Sequence, residues 1–231
     1  MKIAVFHGSP RKGNTYFATR MFMEELSACG EVSFTEFFMP HDLPGFCTGC
    51  TLCLRGLYET CPNAQYANPI LQTLLDSDAL IFATPHYGAC SMPGGMKNLF
   101  DHLDFLVLPV APRAEIFNKK AFVLSTGSGS VAALKPIKKT LKHWGVNRVY
   151  TLGVRMHTNL WDKMPQAKQE RYKTSIQKSA RKFFKAQKGR PYFSTILFYH
   201  VSKFIVKKFV GVGNYPYAYW QEQGYFDRRP F

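Results

Sequence analysis

The residues of this 231-residue chain whose side chains could carry out chemistry lie in a cysteine cluster and three loops. Four of the six cysteines lie within fifteen residues at C-x2-C-x2-C-x7-C spacing: Cys47, Cys50, Cys53 and Cys61. Thiolates at this density can converge on one metal centre, and four soft ligands suit an iron-sulfur cluster or zinc. Metal-free thiols or a redox disulfide are the third alternative. Because the chain starts without an export signal, we expect metal or redox chemistry over a disulfide framework.

Three loops rich in small and polar residues carry the other candidate chemistry. The first, 8–15, combines hydroxyls, an amide and two cations directly before a predicted helix. The second, 84–98, sets a planar aromatic beside amides and small residues, a composition that can wrap a flat heterocycle. The third, 125–130, contains glycines that let backbone amides approach a ligand closely.

The first loop has the composition of an anion cradle. Helix amides and the side chains of Ser9, Asn14 and Thr15 can donate to phosphate oxygens, and Arg11 can add charge-assisted hydrogen bonds. The loop matches neither GxGxxG nor GxxxxGK[ST], so it predicts neither a dinucleotide fingerprint nor a P-loop. The alternative is an ordinary turn in which Asn14 or Thr15 caps the helix.

The elements that must position these loops alternate regularly between strand and helix. Short β-branched or aromatic runs predict strands at 2–7, 32–38, 79–84, 120–125 and 147–154. Helical periods predict helices at 14–29, 67–76, 94–106, 131–144 and 163–188. This alternation predicts an α/β fold: a doubly wound, five-stranded parallel sheet with helices on both faces and a helical C-terminal extension. Ligands of such folds bind beyond the carboxyl ends of the strands, and the three loops follow strands one, three and four.

With these motifs in place, the chain resembles the flavodoxin-like NAD(P)H-dependent FMN reductase family over about residues 1 to 155. The resemblance rests on three motifs at matching strand ends: Gly8-Ser9-Pro10-Arg11 with Gly13-Asn14-Thr15, Thr84-Pro85-His86-Tyr87 with Met92-Pro93-Gly94, and Ser125-Thr126-Gly127. It implies a flavodoxin-like fold, bound FMN, and NAD(P)H as co-substrate.

The resemblance also implies roles for particular residues. Those that would hold the FMN phosphate are Ser9, Arg11, Asn14 and Thr15. Those that would line the isoalloxazine are Pro85, His86, Tyr87 and Gly88, with Thr126, Gly127 and Ser128 on its other side. His86 departs from the small, apolar or aromatic residue of many relatives, and we expect it to make a loop hydrogen bond rather than act as a catalytic acid. The cysteine spacing is similar to the compact motif of iron-sulfur flavoproteins, which carry a 4Fe-4S cluster beside FMN.

The remaining histidines and cysteines predict no further site. Histidines 41, 102, 143, 157 and 200 form no metal-binding spacing such as HExxH and are expected to be structural. Cys29 and Cys90 are expected to be small buried or loop residues. No acid/base pair is required, because the flavin itself carries hydride transfer.

Composition and charge limit the alternatives. A hydrophobic content of 46% excludes a disordered or coiled-coil chain. Thirteen of the Lys and Arg residues, against Glu170 alone, lie between Lys163 and Lys208, which accounts for +12 of the net charge of +15. Such a charge could serve a nucleic-acid or anionic-membrane binder, yet no RNP, zinc-finger or helix-turn-helix signature accompanies it. We expect the cations of the 163–188 helix to form a solvated face.

The sequence predicts a flavodoxin-like domain at 1–188, with a cysteine-rich loop at 44–63, and a basic and aromatic extension at 189–231. Segment 191–212 is apolar around most of a helix, which favours burial against a partner subunit or domain, with a membrane surface as the second choice. No run approaches a spanning length of about 18 uncharged apolar residues.

The predicted function is a cytoplasmic FMN-dependent oxidoreductase that passes electrons from NAD(P)H to a quinone, a flavin or a small electron carrier. A homodimer is expected, since relatives commonly complete the flavin site across a dimer interface. The first alternative is an electron carrier with FMN and a 4Fe-4S cluster. The second is a binder of nucleic acid or anionic membrane through the basic C-terminal third.

Overall fold

The computed structural model of the protein describes residues 1–88, 91–158, 160–187 and 191–231. The expectation for Cys90, the end of the predicted helix at Lys188 and the predicted boundary at 188/189 lie outside these ranges.

A five-stranded, all-parallel sheet forms the centre of the molecule, with strand order β2-β1-β3-β4-β5. The strands are β1 (Lys2–His7), β2 (Ser33–Phe38), β3 (Ala79–Pro85), β4 (Lys120–Thr126) and β5 (Arg148–Val154). This is the flavodoxin-like order, in which the direction of winding reverses beside β1. The predicted fold class and all five strands are confirmed, with ends that differ by one residue at most.

Helices cover both faces of the sheet, as right-handed crossovers between parallel strands require. Those of the sheet region are α1 (Asn14–Cys29), α2 (Ala64–Asp76), α3 (Gly94–His102), α4 (Ala114–Phe117), α5 (Ser130–His143) and α6 (Gln166–Lys185). The C-terminal region adds α7 (Phe193–Ile205), a π-helical turn (Val206–Val210) and α8 (Tyr215–Glu222).

Three helices, α2, α3 and α6, differ from the prediction by more than one residue at an end. Helix α6 begins at Gln166 and not at 163, because Pro165 has no N–H to donate and holds Met164 in an extended conformation. Helix α3 ends at His102, and a 3-10 turn at Asp104–Leu106 replaces the predicted last turn and directs Phe105 and Leu106 into the core. Helix α2 begins three residues early, at Ala64.

Each face of the sheet has its own hydrophobic core. On one face α1 and α6 pack around Phe22, Phe122 and Phe183. On the other face α2, α3 and α5 pack with residues such as Phe82 and Trp144. This two-sided burial is why the strands are nearly continuous apolar runs in the sequence.

The C-terminal segment packs on the α2, α3 and α5 face. Trp220 is fully buried, its indole N–H donates to the carbonyl of Leu108 at 3.2 Å, and its ring stacks on Tyr199. Tyr219 donates from its hydroxyl to the carbonyl of Pro112 at 3.0 Å. Across the described ranges, no helix is both long enough and apolar enough to cross a bilayer.

Candidate active site

A cavity of about 340 Å³ opens at the carboxyl edge of the sheet, within the usual size range of small-molecule sites. It is lined by the loops that follow β1, β3, β4 and β5. Ten of the eleven predicted cofactor-binding residues line it: Ser9, Arg11, Asn14, Thr15, Pro85, His86, Tyr87, Thr126, Gly127 and Ser128. Gly88 does not. It is solvent-exposed at the tip of the second loop, where a positive φ of 61° suits glycine.

The first loop presents donors at the start of α1. Gly13 is the N-cap residue and has no side chain, so the alternative of an Asn14 or Thr15 cap is not what the loop adopts. The first amides of a helix lack intrahelical acceptors and carry the positive end of the helix dipole. Arg11 and Ser9 lie beside them, with the Arg11 amide donating to Ser9 Oγ at 3.3 Å. The arrangement is suited to an anion.

Hydrogen bonds between loops hold the cavity walls together. Thr15 Oγ1 and Thr126 Oγ1, both buried, are 2.6 Å apart and join the first loop to the end of β4. Asn14 Nδ2 donates to the carbonyl of Thr158 at 3.0 Å and so joins α1 to the loop after β5. These contacts span more than a hundred residues of sequence and preorganise the site.

His86 packs against the third loop. Its backbone amide donates to the carbonyl of Thr126 at 2.8 Å. Its Nε2 atom is buried without a hydrogen-bond partner among the described residues, so the predicted loop hydrogen bond is not made at this atom. A Cβ built on Gly129 would lie 2.3 Å from that Nε2. The imidazole therefore occupies the space that the missing side chain leaves, a packing role that needs glycine at position 129.

Tyr87 forms the mouth of the cavity. Half of its surface is exposed, and its backbone pairs with Ser91 through Tyr87 N to Ser91 O at 2.9 Å. The pairing holds Tyr87 beside Ser91 in the second loop. A half-exposed aromatic ring beside a cavity offers a stacking surface to a planar ligand.

Besides Gly13 of the first loop, three residues line the cavity that were not predicted as cofactor-binding: Met156, His157 and Thr158. They follow β5, whose carboxyl end meets the same edge of the sheet. The sequence could have predicted them, because the carboxyl ends of all parallel strands meet at one edge of the sheet, whether or not a glycine-rich loop follows. His157 had been predicted to be structural.

A second cavity of about 500 Å³ adjoins the first on the outer side of α1. Arg11, Gly13 and Asn14 line both cavities, whereas Lys12 and Arg20 line only the second. Arg11 is therefore placed to contact a ligand in the main cavity. Lys12, the next residue, has the same charge but lies outside that cavity.

The four clustered cysteines line one small cavity of about 30 Å³, which has room for about two water molecules. Their loop is anchored on α3, since Asn98 accepts from the Cys47 amide at 2.9 Å and donates to the carbonyl of Gly45 at 2.8 Å. Cys47 and Cys50 are exposed, and Cys53 and Cys61 are half-buried. Burial raises the pKa of the Cys53 thiol, and the neighbouring Cys47 and Cys50 raise it further.

This cysteine arrangement is not that of a single-ion site. Within the ranges the structure describes, no three His, Cys, Asp or Glu side chains form a group that could hold a single metal ion. An iron-sulfur cluster spreads several metals between its four thiolates, so its ligands need not converge as closely. The donor set of four free thiols suits a cluster.

The packing of His86 on Gly129 yields a stability prediction. Gly129→Ala is expected to lower the free energy of unfolding by about 1 to 3 kcal/mol, the usual cost of overpacking, because φ at this residue is −103° and the clash alone opposes alanine. Adding His86→Ala should recover much of the loss in a double-mutant cycle measured by urea unfolding. Gly94→Ala is the control, since a Cβ there meets nothing within 4 Å. Additive effects of the two substitutions would contradict the proposed packing.

Comparisons with known proteins agree with this geometry. The family model of NADPH-dependent FMN reductase matches residues 1–157. An iron-sulfur flavoprotein of Archaeoglobus fulgidus is 30% identical over 101 residues, which cover 44% of this chain and 48% of that protein. The match thus spans about half the length of that relative.

Solved structures share the fold. An azoreductase from Bacillus anthracis superposes with a TM-score of 0.62 at 14% identity, covering 79% of this chain and all of that one. The NAD(P)H:quinone oxidoreductase from Methanothermobacter marburgensis superposes with a TM-score of 0.60 at 15% identity, covering 80% of this chain and 98% of that one.

Proposed function

The chain belongs to the NADPH-dependent FMN reductase family, and from this premise we propose that it is an oxidoreductase that passes electrons from NAD(P)H through bound FMN to a second acceptor. The observation that carries the proposal is the single cavity shared by ten residues from three separate sequence motifs. The acceptor we propose is a quinone, a flavin or a small electron carrier.

The first loop suits the phosphate of FMN. A phosphate group needs several N–H or O–H donors and a cation, and the residues lining this end of the cavity supply both: Ser9, Arg11, Asn14 and Thr15. The glycine N-cap leaves the amides at the start of α1 without a side-chain acceptor. The chemistry of these donors therefore matches the group they would hold.

The part of the cavity lined by the second and third loops suits the isoalloxazine. Pro85, His86 and Tyr87 line it from the loop after β3, and Thr126, Gly127 and Ser128 line it from the loop after β4. Gly127 has a positive φ of 124° and lies against His86, so its backbone conformation and its lack of a side chain both favour close approach. When bound there, FMN supplies the capacity to accept hydride and to pass electrons on.

The chain itself contributes binding, orientation and exclusion of water. Thr15 and Thr126 join the first loop to the third through their 2.6 Å hydrogen bond. His86 supports the third loop by packing on Gly129, and its buried Nε2 is poorly placed to deliver a proton into the cavity. We therefore assign no catalytic acid.

Steady-state kinetics test this function. FMN-loaded protein is expected to oxidise NADPH or NADH continuously when benzoquinone is supplied, with the parallel double-reciprocal lines of a ping-pong reaction, because both substrates use the same flavin in turn. Apoprotein is the control and should be inactive. If loaded protein accepts electrons from a chemical reductant yet never turns over NAD(P)H, the protein is a carrier and the reductase proposal is wrong.

We propose in addition that the protein is a homodimer through the flavin side of the molecule. The supporting observation is Tyr87, which lies half-exposed at the mouth of the cavity, where a second subunit could cover it. Sedimentation velocity measures the oligomeric state and is expected to show a dimer.

The second candidate function is an iron-sulfur flavoprotein that carries electrons with FMN and a 4Fe-4S cluster. Four cysteines line one cavity, and their loop is bound to α3, the helix that follows the second loop of the flavin site. The 30% identity to an iron-sulfur flavoprotein over 101 residues supports the same candidate.

A further inference from the structure

Helix α7 and the π-helical turn that follows it expose an apolar surface. Seven of the fourteen most exposed large apolar side chains among the described residues lie within 193–212. We call this set the apolar ridge: Phe193, Leu197, Val201, Phe204, Ile205, Phe209 and Val212. Phe193, Phe209 and Val212 are 79%, 72% and 82% exposed. Contiguous apolar surface of this kind marks an interaction site on a folded protein.

Helix α7 is oriented the opposite way from an ordinary surface helix. A surface helix usually buries its apolar face and exposes its polar face. Here Thr195 and Ser202 face inward and are buried, and their hydroxyl oxygens have no hydrogen-bond partner among the described residues. This orientation leaves the ridge exposed to solvent, as in a helix whose apolar face binds a partner or a surface.

Specific contacts fix this orientation. Tyr199 is buried, its hydroxyl donates to the carbonyl of Tyr225 at 2.6 Å, and its ring stacks on Trp220 at a centroid distance of 5.2 Å. Phe198 packs on His143 of α5 at 4.7 Å. The helix therefore cannot turn its ridge inward without breaking these contacts.

Segment 193–212 carries lysines and no acidic residue. No Asp or Glu occurs between Glu170 and Glu222. Lys208 lies with its Nζ 5.7 Å from the ring of Phe204, and Lys207 lies 5.5 Å from the ring of Phe226. Long lysine side chains beside apolar groups are typical of helices at a membrane interface, where the stems lie in the apolar region and the ammonium groups reach the lipid headgroups.

These observations distinguish two possible coverings of the ridge. A second copy of the chain on the ridge would place lysine opposite lysine. An anionic lipid surface would cover the apolar residues and neutralise the cations together. The helix is also too short to span a bilayer, in keeping with the absence of a spanning helix in the described ranges.

We propose that the apolar ridge docks onto the surface of an anionic phospholipid bilayer, with α7 lying in the interface and Lys207 and Lys208 among the headgroups. The basic helix α6 does not take part, because it packs with α1 on the opposite face of the sheet. One flat surface can contact only one of these two faces.

Vesicle co-sedimentation of the full chain tests the proposal. Binding is expected to vesicles of phosphatidylglycerol and phosphatidylcholine in equal parts, to be weak for phosphatidylcholine alone, and to decrease with added salt as the lysines are screened. Phe209→Gln should lower the partition coefficient by about tenfold or more, since it removes a phenyl ring from the interface. Phe46→Gln is the matched control, because Phe46 is 68% exposed and lies in the cysteine loop.

A second pair of variants tests the charge. Lys207→Gln with Lys208→Gln should lower vesicle binding by roughly tenfold or more. Lys168→Gln with Lys178→Gln removes the same charge from α6 and should change binding much less. Circular dichroism confirms that each variant is folded.

Three outcomes would overturn the proposal. The first is failure of the folded wild type to bind anionic vesicles. The second is equal loss from the α6 and the Lys207 and Lys208 pairs, which would indicate attraction by net charge alone. The third is a dimer that dissociates on Phe209→Gln in protein that binds no vesicles, which would assign the ridge to a second copy of the chain. None of these outcomes depends on FMN or on turnover.

Discussion

Arg11→Ala is expected to weaken FMN binding by about 1.5 to 3 kcal/mol, or roughly ten- to a hundredfold in Kd. The physical reason is that Arg11 is the cation among the residues that line the first-loop end of the cavity. Its hydrogen bonds to a phosphate would be charge-assisted on both sides, which makes them about twice as strong as neutral ones. The remaining donors are neutral and cannot replace the lost attraction.

The measurement is a fluorescence titration of apoprotein with FMN, alongside thermal unfolding of the apo variant. Arg11 is exposed, so its removal should leave the fold intact. Lys12→Ala is the matched control, because Lys12 adjoins Arg11 in sequence but lines only the neighbouring cavity. A folded Arg11→Ala protein with wild-type FMN affinity would remove the phosphate assignment and leave the first loop as an ordinary turn.

If the four cysteines ligate a cluster, Cys50→Ala has the largest expected effect, the complete loss of iron and acid-labile sulfide from protein that retains FMN. A cubane cluster needs all of its thiolate ligands, so the removal of one exposed ligand abolishes assembly or leaves a labile remnant. FMN should stay bound because no cysteine lines the flavin cavity among the described residues. Anaerobic preparation with iron and sulfide, followed by metal, sulfide and flavin analysis, measures both quantities in one sample.

Cys29→Ala controls for the loss of a thiol in general. Cys29 is the last residue of α1 and is remote in sequence from the cysteine loop. It should leave the iron and sulfide content unchanged. If the wild type prepared in this way holds neither iron nor sulfide, the four cysteines are metal-free thiols, and the electron-carrier candidate loses its second redox centre while the reductase proposal stands.

The sheet and the main cavity could be predicted because their signals are local. Each strand is a short apolar run, and each run is followed by a small-residue loop and a helical period. Parallel strands bring their carboxyl ends to one edge, so chain order alone places the loops after β1, β3 and β4 together. Residues as distant as Ser9 and Ser128 can therefore be assigned to one cavity from the sequence.

Contacts that depend on packing could not be predicted in this way. The place of His86 follows from the empty volume at Gly129, and its side chain makes no sequence-local hydrogen bond at Nε2 that a pattern could reveal. The link between Thr15 and Thr126 spans 111 residues. Such pairs are determined by how two loops meet, and a single sequence carries no periodicity for them.

The C-terminal region shows most clearly which features the sequence determines and which only the tertiary structure decides. The sequence by itself determined that 191–212 is an apolar helix with few polar positions and that its charges are positive. Only the tertiary structure decided which side of that helix faces outward. When apolar residues cover most of a helix, periodicity cannot choose the buried face, and the choice falls to particular contacts. In this helix the stacking of Tyr199 on Trp220 determines the buried face. Thr195 and Ser202 therefore face inward, and the apolar ridge faces solvent.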